Sequence, residues 1–296
     1  SGFNAADTTT VTGASGFDYA TRVSEGMAFA AATSVTGSGA ITNLGSTAFN
    51  LTGNQAGTAG STGFSGFNAA DTTTVTGASG FDIGSKIGEG MTFANATSVA
   101  GTGTTATITG SGQTYTLDSS TADKGSGNGV TWTSFGSIDD ATGTVHFGTN
   151  GSLTGNVTAA TLDYGSYASA VSFDLSAGNG ATTGIGGSWT GVTAVIGSGN
   201  TDTIKGNNQS YALTGAGTGN NGAVNWTSFE NVADSGAGTI NTTGGQSYSL
   251  TGANAGTVAT LLPGGFTGIG NLNDAASTIH FGTNGSLTGN VTAATL

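Results

Sequence analysis

In AVSFDLS, residues 170–176, Val171, Phe173 and Leu175 alternate with Ser172 and Asp174, so one face is apolar and the other wet. A period of two is that of a half-buried strand. Tyr211 and Leu213 alternate in the same way, as do Val224 and Trp226. From Trp226 to Phe229, and again to Val232, the step is three. A straight strand cannot turn all three inward, which predicts a bend near Ser228 or Glu230. Thr, Val, Ile, Tyr and Phe fill such stretches, and clusters of Gly and Asn punctuate them. The best helical candidate, Arg22 to Val35, is interrupted by Gly26 and has no clear apolar stripe. The pattern predicts an all-β chain.

The strand phrases recur. An aromatic phrase reads WTSFGSIDD from Trp132, WTSFENVAD from Trp226 and FTGIGNLND from Phe266, with looser copies at Phe64 and Trp189. An alternating phrase reads QTYTL at Gln113, QSYAL at Gln209 and QSYSL at Gln246, with AFNLTG from Ala48 as a looser copy. A third pairs Thr with a branched residue, as in TVHF at Thr144 and TIHF at Thr278. Larger blocks are duplicated too: residues 1–39 return as 65–103, and HFGTNGSLTGNVTAATL occurs unchanged at 146–162 and 280–296. A unit of roughly 30–40 residues recurs about nine times, within the range of repeat architectures. Three strand phrases per unit predict a parallel β-solenoid with three strands per coil. A propeller needs four strands per blade. Coils spaced ~4.8 Å apart would build a rod about 40 Å long from one continuous solenoid over residues 1–296. The unchanged copies and the abrupt ends suggest a segment of a longer array. A continuation after Leu296 is expected to start with a sequence close to Asp-Tyr-Gly-Ser-Tyr, and the residue before Ser1 is expected to be Phe or Trp.

Composition narrows the functional classes. The 56 glycines would suit disorder, but 35% of residues are hydrophobic and only 7% charged, the reverse of a disordered chain. A net charge of −12 with four scattered basic residues argues against nucleic acid. The absence of Cys removes thiol catalysis, zinc–thiolate sites and disulfides. No apolar run reaches the ~18 residues of a membrane helix, so membrane insertion of that kind is not expected.

The stretches 161–192, 209–232 and 246–258 resemble the repeats of very large secreted bacterial surface proteins, the haemagglutinin-like and calcium-repeat adhesins. The resemblance covers most of the chain from about residue 40, and the first coils through the 64-residue duplication. It implies a β-solenoid, an extracellular location at the bacterial cell surface, and a structural or adhesive role. Calcium-binding members carry Gly-Gly-x-Gly-x-Asp-x-apolar repeats. GSGNTDTI at 197–204 keeps Asp202 and Ile204, but places Ser198 and Asn200 where that motif has Gly, and it is not tandemly repeated.

Calcium is the one cofactor the sequence suggests. Asp140, Asp234 and Asp274 end successive aromatic phrases, with Asp139 beside the first and Asp71 and Asp7 as expected counterparts. A row of carboxylates suits a hard cation that takes six to eight oxygens. The competing reading, an Asp accepting backbone N–H bonds in a turn, is favoured because second and third carboxylates are missing around each. His146 and His280 are copies of one position, which argues against a unique catalytic role. Asp163 and Asp174 could form an acid–base pair in a glycan-cleaving β-helix, although solvated strand faces commonly carry Asp. Trp132, Trp189 and Trp226 could stack on sugars, but their repeated position favours the core. Threonines at 8–10, 12, 104, 105 and 107 hint at an ice-binding ladder that later units lose, and nine Asn-x-Ser/Thr sequons suit chance in such a composition. The expected function is a non-enzymatic element of an extracellular fibre, adhesin stalk or biofilm-matrix filament. Its partners would be copies of itself and surface glycans. The alternatives are a β-helix polysaccharide lyase or hydrolase, and an ice- or glycan-binding solenoid.

Overall fold

The computed structural model describes residues 4–118, 120–176 and 181–296. Residues 1–3 of the duplicated opening and 177–180 of the phrase starting at Thr161 lie outside them. The protein is a parallel β-solenoid of about eight turns, 55% strand, and among the described residues without a helix. It divides into two compact units: Ser1–Tyr115 with Ala122–Asp140, and Thr116–Thr121 with Ala141–Leu296.

In the first unit each coil stacks in parallel on the next, and apolar residues stack in register. Phe49, Val75, Val99 and Trp132 form one column, and Phe81, Ile108 and Ile138 another. All seven are buried. A long parallel register joins Ser98–Thr109 to Val130–Asp139. In the second unit Val145, Leu162, Val195 and Trp226 form a column, and Phe173, Ile204, Val232 and Phe266 another. The strand period therefore becomes a spine of matched apolar contacts, while the alternate residues face outward.

The step between stacked residues varies more than the sequence phrases suggest. It is 24 residues from Val75 to Val99, 33 from Val99 to Trp132, and only 17 from Val145 to Leu162 inside the duplicated phrase. The 17-residue step holds no antiparallel strand. The 31-residue step from Val195 to Trp226 takes in two, Ser210–Gly215 and Thr218–Asn220.

These antiparallel strands have one recurring form. The alternating phrase and the aromatic phrase are the outer strands of an S-shaped triple, with a glycine-bearing strand between them. The triples include Phe49–Gly53, Ala56–Ala59, Thr62–Ser65, and Ser210–Gly215, Thr218–Asn220, Asn225–Thr227. A third joins Ser247–Gly252 and Ala255–Val258 to Leu262–Asn273. In each, the aromatic opening its phrase lies opposite a glycine: Phe64 opposite Gly57, Trp226 opposite Gly219, and Phe266 opposite Gly256. Trp132 lies opposite Gly125 in the same manner. A Cβ on Gly219 would meet Trp226 Cζ2 at 2.6 Å, so the missing side chain is what leaves room for the ring.

The bend expected near Ser228 is there. Ser228 has φ +60°, and Trp226 and Phe229 on either side are both buried. The third residue of every aromatic phrase shares this left-handed conformation: Gly66, Ser134, Gly191, Ser228 and Gly268. One residue of reversed φ between two inward side chains converts a period of two into a step of three. The stretch Arg22–Val35 forms short strands and turns, with Arg22, Glu25 and Gly26 at positive φ. Its copy repeats this at Lys86, Glu89 and Gly90.

Candidate functional site

The carboxylates at the ends of the aromatic phrases occupy equivalent places and make equivalent bonds. Asp140 accepts the N–H groups of Gly112 (2.9 Å) and Gln113 (2.8 Å), and the hydroxyl of Tyr115 at 2.9 Å. Asp234 accepts the N–H groups of Asn208 (2.9 Å) and Gln209 (3.0 Å), and the hydroxyl of Tyr211 at 2.7 Å. Asp274 accepts the N–H groups of Gln246 and Ala276, each at 3.1 Å, and reaches Tyr248 through Thr242. Each carboxylate thus ties the turn before an alternating strand, and the tyrosine of that strand, to the next coil.

Burial raises the pKa of Asp234 and Asp274, but their hydrogen bonds outweigh it and hold both carboxyls below the ordinary value. Burial, with the charge of Asp274 adding, pushes the Tyr248 phenol up to about 12, against a smaller opposing bond from Thr242. The Tyr115 and Tyr211 phenols are raised mainly by burial and then by their carboxylate partners.

The turn-capping geometry uses oxygens that calcium would need. Asp139 faces solvent while its neighbour Asp140 is buried. Among the described residues no three His, Asp or Glu side chains gather where a metal could sit. Asp202 of the partial nonapeptide is buried and turned to Val171 N (2.6 Å) and to the amide and hydroxyl of Ser198. Asp71 does not share the place of Asp140. It is exposed and accepts the Asn95 amide, while buried Thr72 ties that turn by accepting Thr74 N and donating to Thr47 O.

The tyrosine partners are not evident in any one phrase, yet a signal lies between phrases. Tyr115, Tyr211 and Tyr248 each go with an Asp one coil on. Where the alternating phrase has Phe49, which has no hydroxyl, the carboxylate is replaced by Thr72. Phenol and carboxylate come and go together.

His146 Nδ1 lies 2.7 Å from Asp163 Oδ2 on the facing strand of the next coil, and the ring is 43% exposed. Asp163 also accepts Gly165 N at 2.8 Å. Asp174 belongs to another column and accepts Ser176 N at 2.8 Å, and among the described residues no contact joins the two carboxylates into an acid–base pair. His280 is exposed on its strand beside Ser249. The three tryptophans are core residues, Trp132 fully buried, Trp226 at 1% and Trp189 at 7% exposure, and the Trp189 indole donates to Asp174 O at 3.0 Å.

On the outer faces polar side chains bond from coil to coil. Thr36 meets Ser65 at 3.0 Å, Thr190 donates to Thr158 at 3.2 Å, Asn241 donates to Ser210 at 2.8 Å, and Asn273 donates to Asn241 at 3.0 Å. No family model, curated protein or solved structure matches the chain.

Proposed function

We propose that the chain is a non-enzymatic structural protein, an element of an extracellular bacterial fibre, adhesin stalk or matrix filament that associates with copies of itself. The observation that carries this reading is repetition without exception-making chemistry. Apolar columns and S-shaped triples recur in both units, each unit has a Tyr–Asp tie, and Asp140, Asp234 and Asp274 hold coils together. An enzyme concentrates unlike groups at one place. Here Asp140, Asp234 and Asp274 are spread along the coils as copies of one tie. Its mechanism is mechanical: backbone hydrogen bonds join coil to coil, and the apolar columns exclude water between them. The resemblance of residues 161–192 to secreted adhesin repeats supports the extracellular setting.

Immunogold electron microscopy of the native source tests the reading. Label along surface fibres or matrix filaments is the expected result. Polysaccharide turnover by the purified chain that disappears in Asp163→Asn, with the fold intact, would overturn it.

A further inference from the structure

On the outer face of the second unit, Thr203, Asn231 and Gly265 stand in one register row, and Lys205, Ala233 and Thr267 in the next. The strand Ala255–Val258 runs antiparallel beside Leu262–Asn273. These elements border a groove of about 370 Å³. Five polar side chains line it: Thr203, Asn231, Thr251, Thr257 and Thr267. Gly256, Gly264 and Gly265 add main chain to the lining, beside apolar Val232, Ala233, Ala255 and Phe266.

Some outward Ser, Thr and Asn groups bond to one another across coils, as Asn273 does with Asn241. Thr203 and Asn231 are direct neighbours across the parallel pair, yet neither they nor the three other threonines have a side-chain hydrogen bond among the described residues. Four hydroxyls and one amide therefore border the groove without a protein side-chain partner.

Their chemistry selects a ligand. A hydroxyl offers one donor and two acceptor lone pairs, and an amide offers both kinds side by side. The complement is a molecule that presents adjacent hydroxyls. No charged side chain lines the groove, so an acidic or basic ligand finds no counter-ion there. The nearest cation, Lys205, lies one residue along the sheet from the lining Ala233 and has Asp174 in register on its other side. The volume falls at the lower end of small-ligand sites, which run from roughly 300 to 1,000 Å³. Phe266 borders the groove but is 3% exposed, so no aromatic face is offered and hydrogen bonds must supply the affinity.

We propose that this groove binds a neutral saccharide. The site goes beyond the structural role and does not depend on it, because the groove belongs to a single unit of a single chain. Affinity should be in the millimolar range, since few groups are contacted and no ring is stacked.

Saturation-transfer difference NMR on the purified full chain tests this with cellobiose, maltose, lactose and N,N′-diacetylchitobiose. Digalacturonate and sialyllactose serve as charged comparators. At least one neutral disaccharide should give a saturable signal. Asn231→Leu, which removes the amide at similar volume, and Ala233→Tyr, which fills the groove from its rim, should each weaken binding roughly five- to tenfold. Asn273→Leu, on the self-bonded ladder, should bind as the parent does. Thermal melts identify any variant that fails to fold, and either groove variant suffices alone. No signal from any neutral sugar, binding unchanged in a folded groove variant, or binding of the charged sugars alone would each overturn the proposal.

Discussion

Asp234 illustrates what a single residue does in this protein. Its carboxylate receives two N–H groups and a phenol from the preceding coil, so removing one donor leaves the other two in place. Tyr211→Phe should therefore cost about 1–2 kcal/mol, the range for losing one hydrogen bond to a charged, partly buried acceptor. Phe49 and Thr72 stand at the corresponding places without a phenol or a carboxylate. Tyr211→Phe combined with Asp234→Thr should therefore recover part of that loss in a denaturant-based double-mutant cycle; strictly additive losses would show that the two residues are not coupled. The same ties set the response to pH. The folded-state pKa values of Asp234 and Asp274 lie below the unfolded value of about 3.9, so their contribution is present above that value and is lost as pH falls through the depressed ones. The melting temperature should hold through neutral pH and drop below about pH 4. At the alkaline end the sign reverses. Tyr248 favours folding while neutral, and that contribution fades between the ordinary phenol value of about 10 and its raised value. The turn-capping role of the Asp residues was legible in the sequence, because each ends a strand phrase and lacks the second and third carboxylates that a cation would need. The phenols were not, because they lie 23 to 26 residues away and only the fold brings them into reach.

At the scale of the element, the S-shaped triple is where sequence and structure diverge. The alternation in QSYAL and the apolar steps in WTSF mark strands and their inner faces. A period of two says which way side chains point, but not whether a neighbour runs parallel or antiparallel. Hence the phrases read as separate sides of a coil, whereas Tyr211 and Trp226 belong to the outer strands of one triple. The overlooked signal is glycine. Gly57, Gly125 and Gly219 each stand seven residues before the aromatic they face. Gly219→Ala would set a Cβ against Trp226 and against Ala212 O at 2.5 Å, so it should destabilise by about 1–3 kcal/mol. Gly53→Ala, with open space around its Cβ and no positive φ, should change the chemical midpoint little. Equal losses from both would refute the packing role. The aromatic phrase permits a test of the opposite sign. Ser228 adopts a conformation that costs an L-residue about 1–2 kcal/mol, and Gly is already present at the equivalent Gly66, Gly191 and Gly268. Ser228→Gly should raise stability by about 0.5–1 kcal/mol after the entropy of the unfolded glycine is subtracted, measured by urea denaturation.

For the molecule as a whole, the solenoid was legible because one pattern recurs often enough to exclude most other folds, and the apolar residues at corresponding places become its columns. Coil length was less legible, since hairpins inserted into some coils and missing from the 17-residue copy leave no single period to count. The architecture has an energetic consequence. Each coil contacts its neighbours along the stack, so stability is close to a sum of local terms and nearest-neighbour couplings. Damage should then spread from its site and fade, in contrast to a globular core that fails as one. Ile204 is a suitable place to examine this, being fully buried between Phe173 on one side and Val232 on the other. Ile204→Ala should cost about 2–5 kcal/mol locally. Hydrogen exchange in the native state should then speed most in Thr203–Lys205 and in its partners Ser172–Asp174 and Asn231–Asn241, less in Leu262–Asn273, and least in Thr144–Phe147, which pairs in a different column. Uniform acceleration across the second unit would mean that it unfolds in one step, and that the couplings between its coils exceed the local differences in stability.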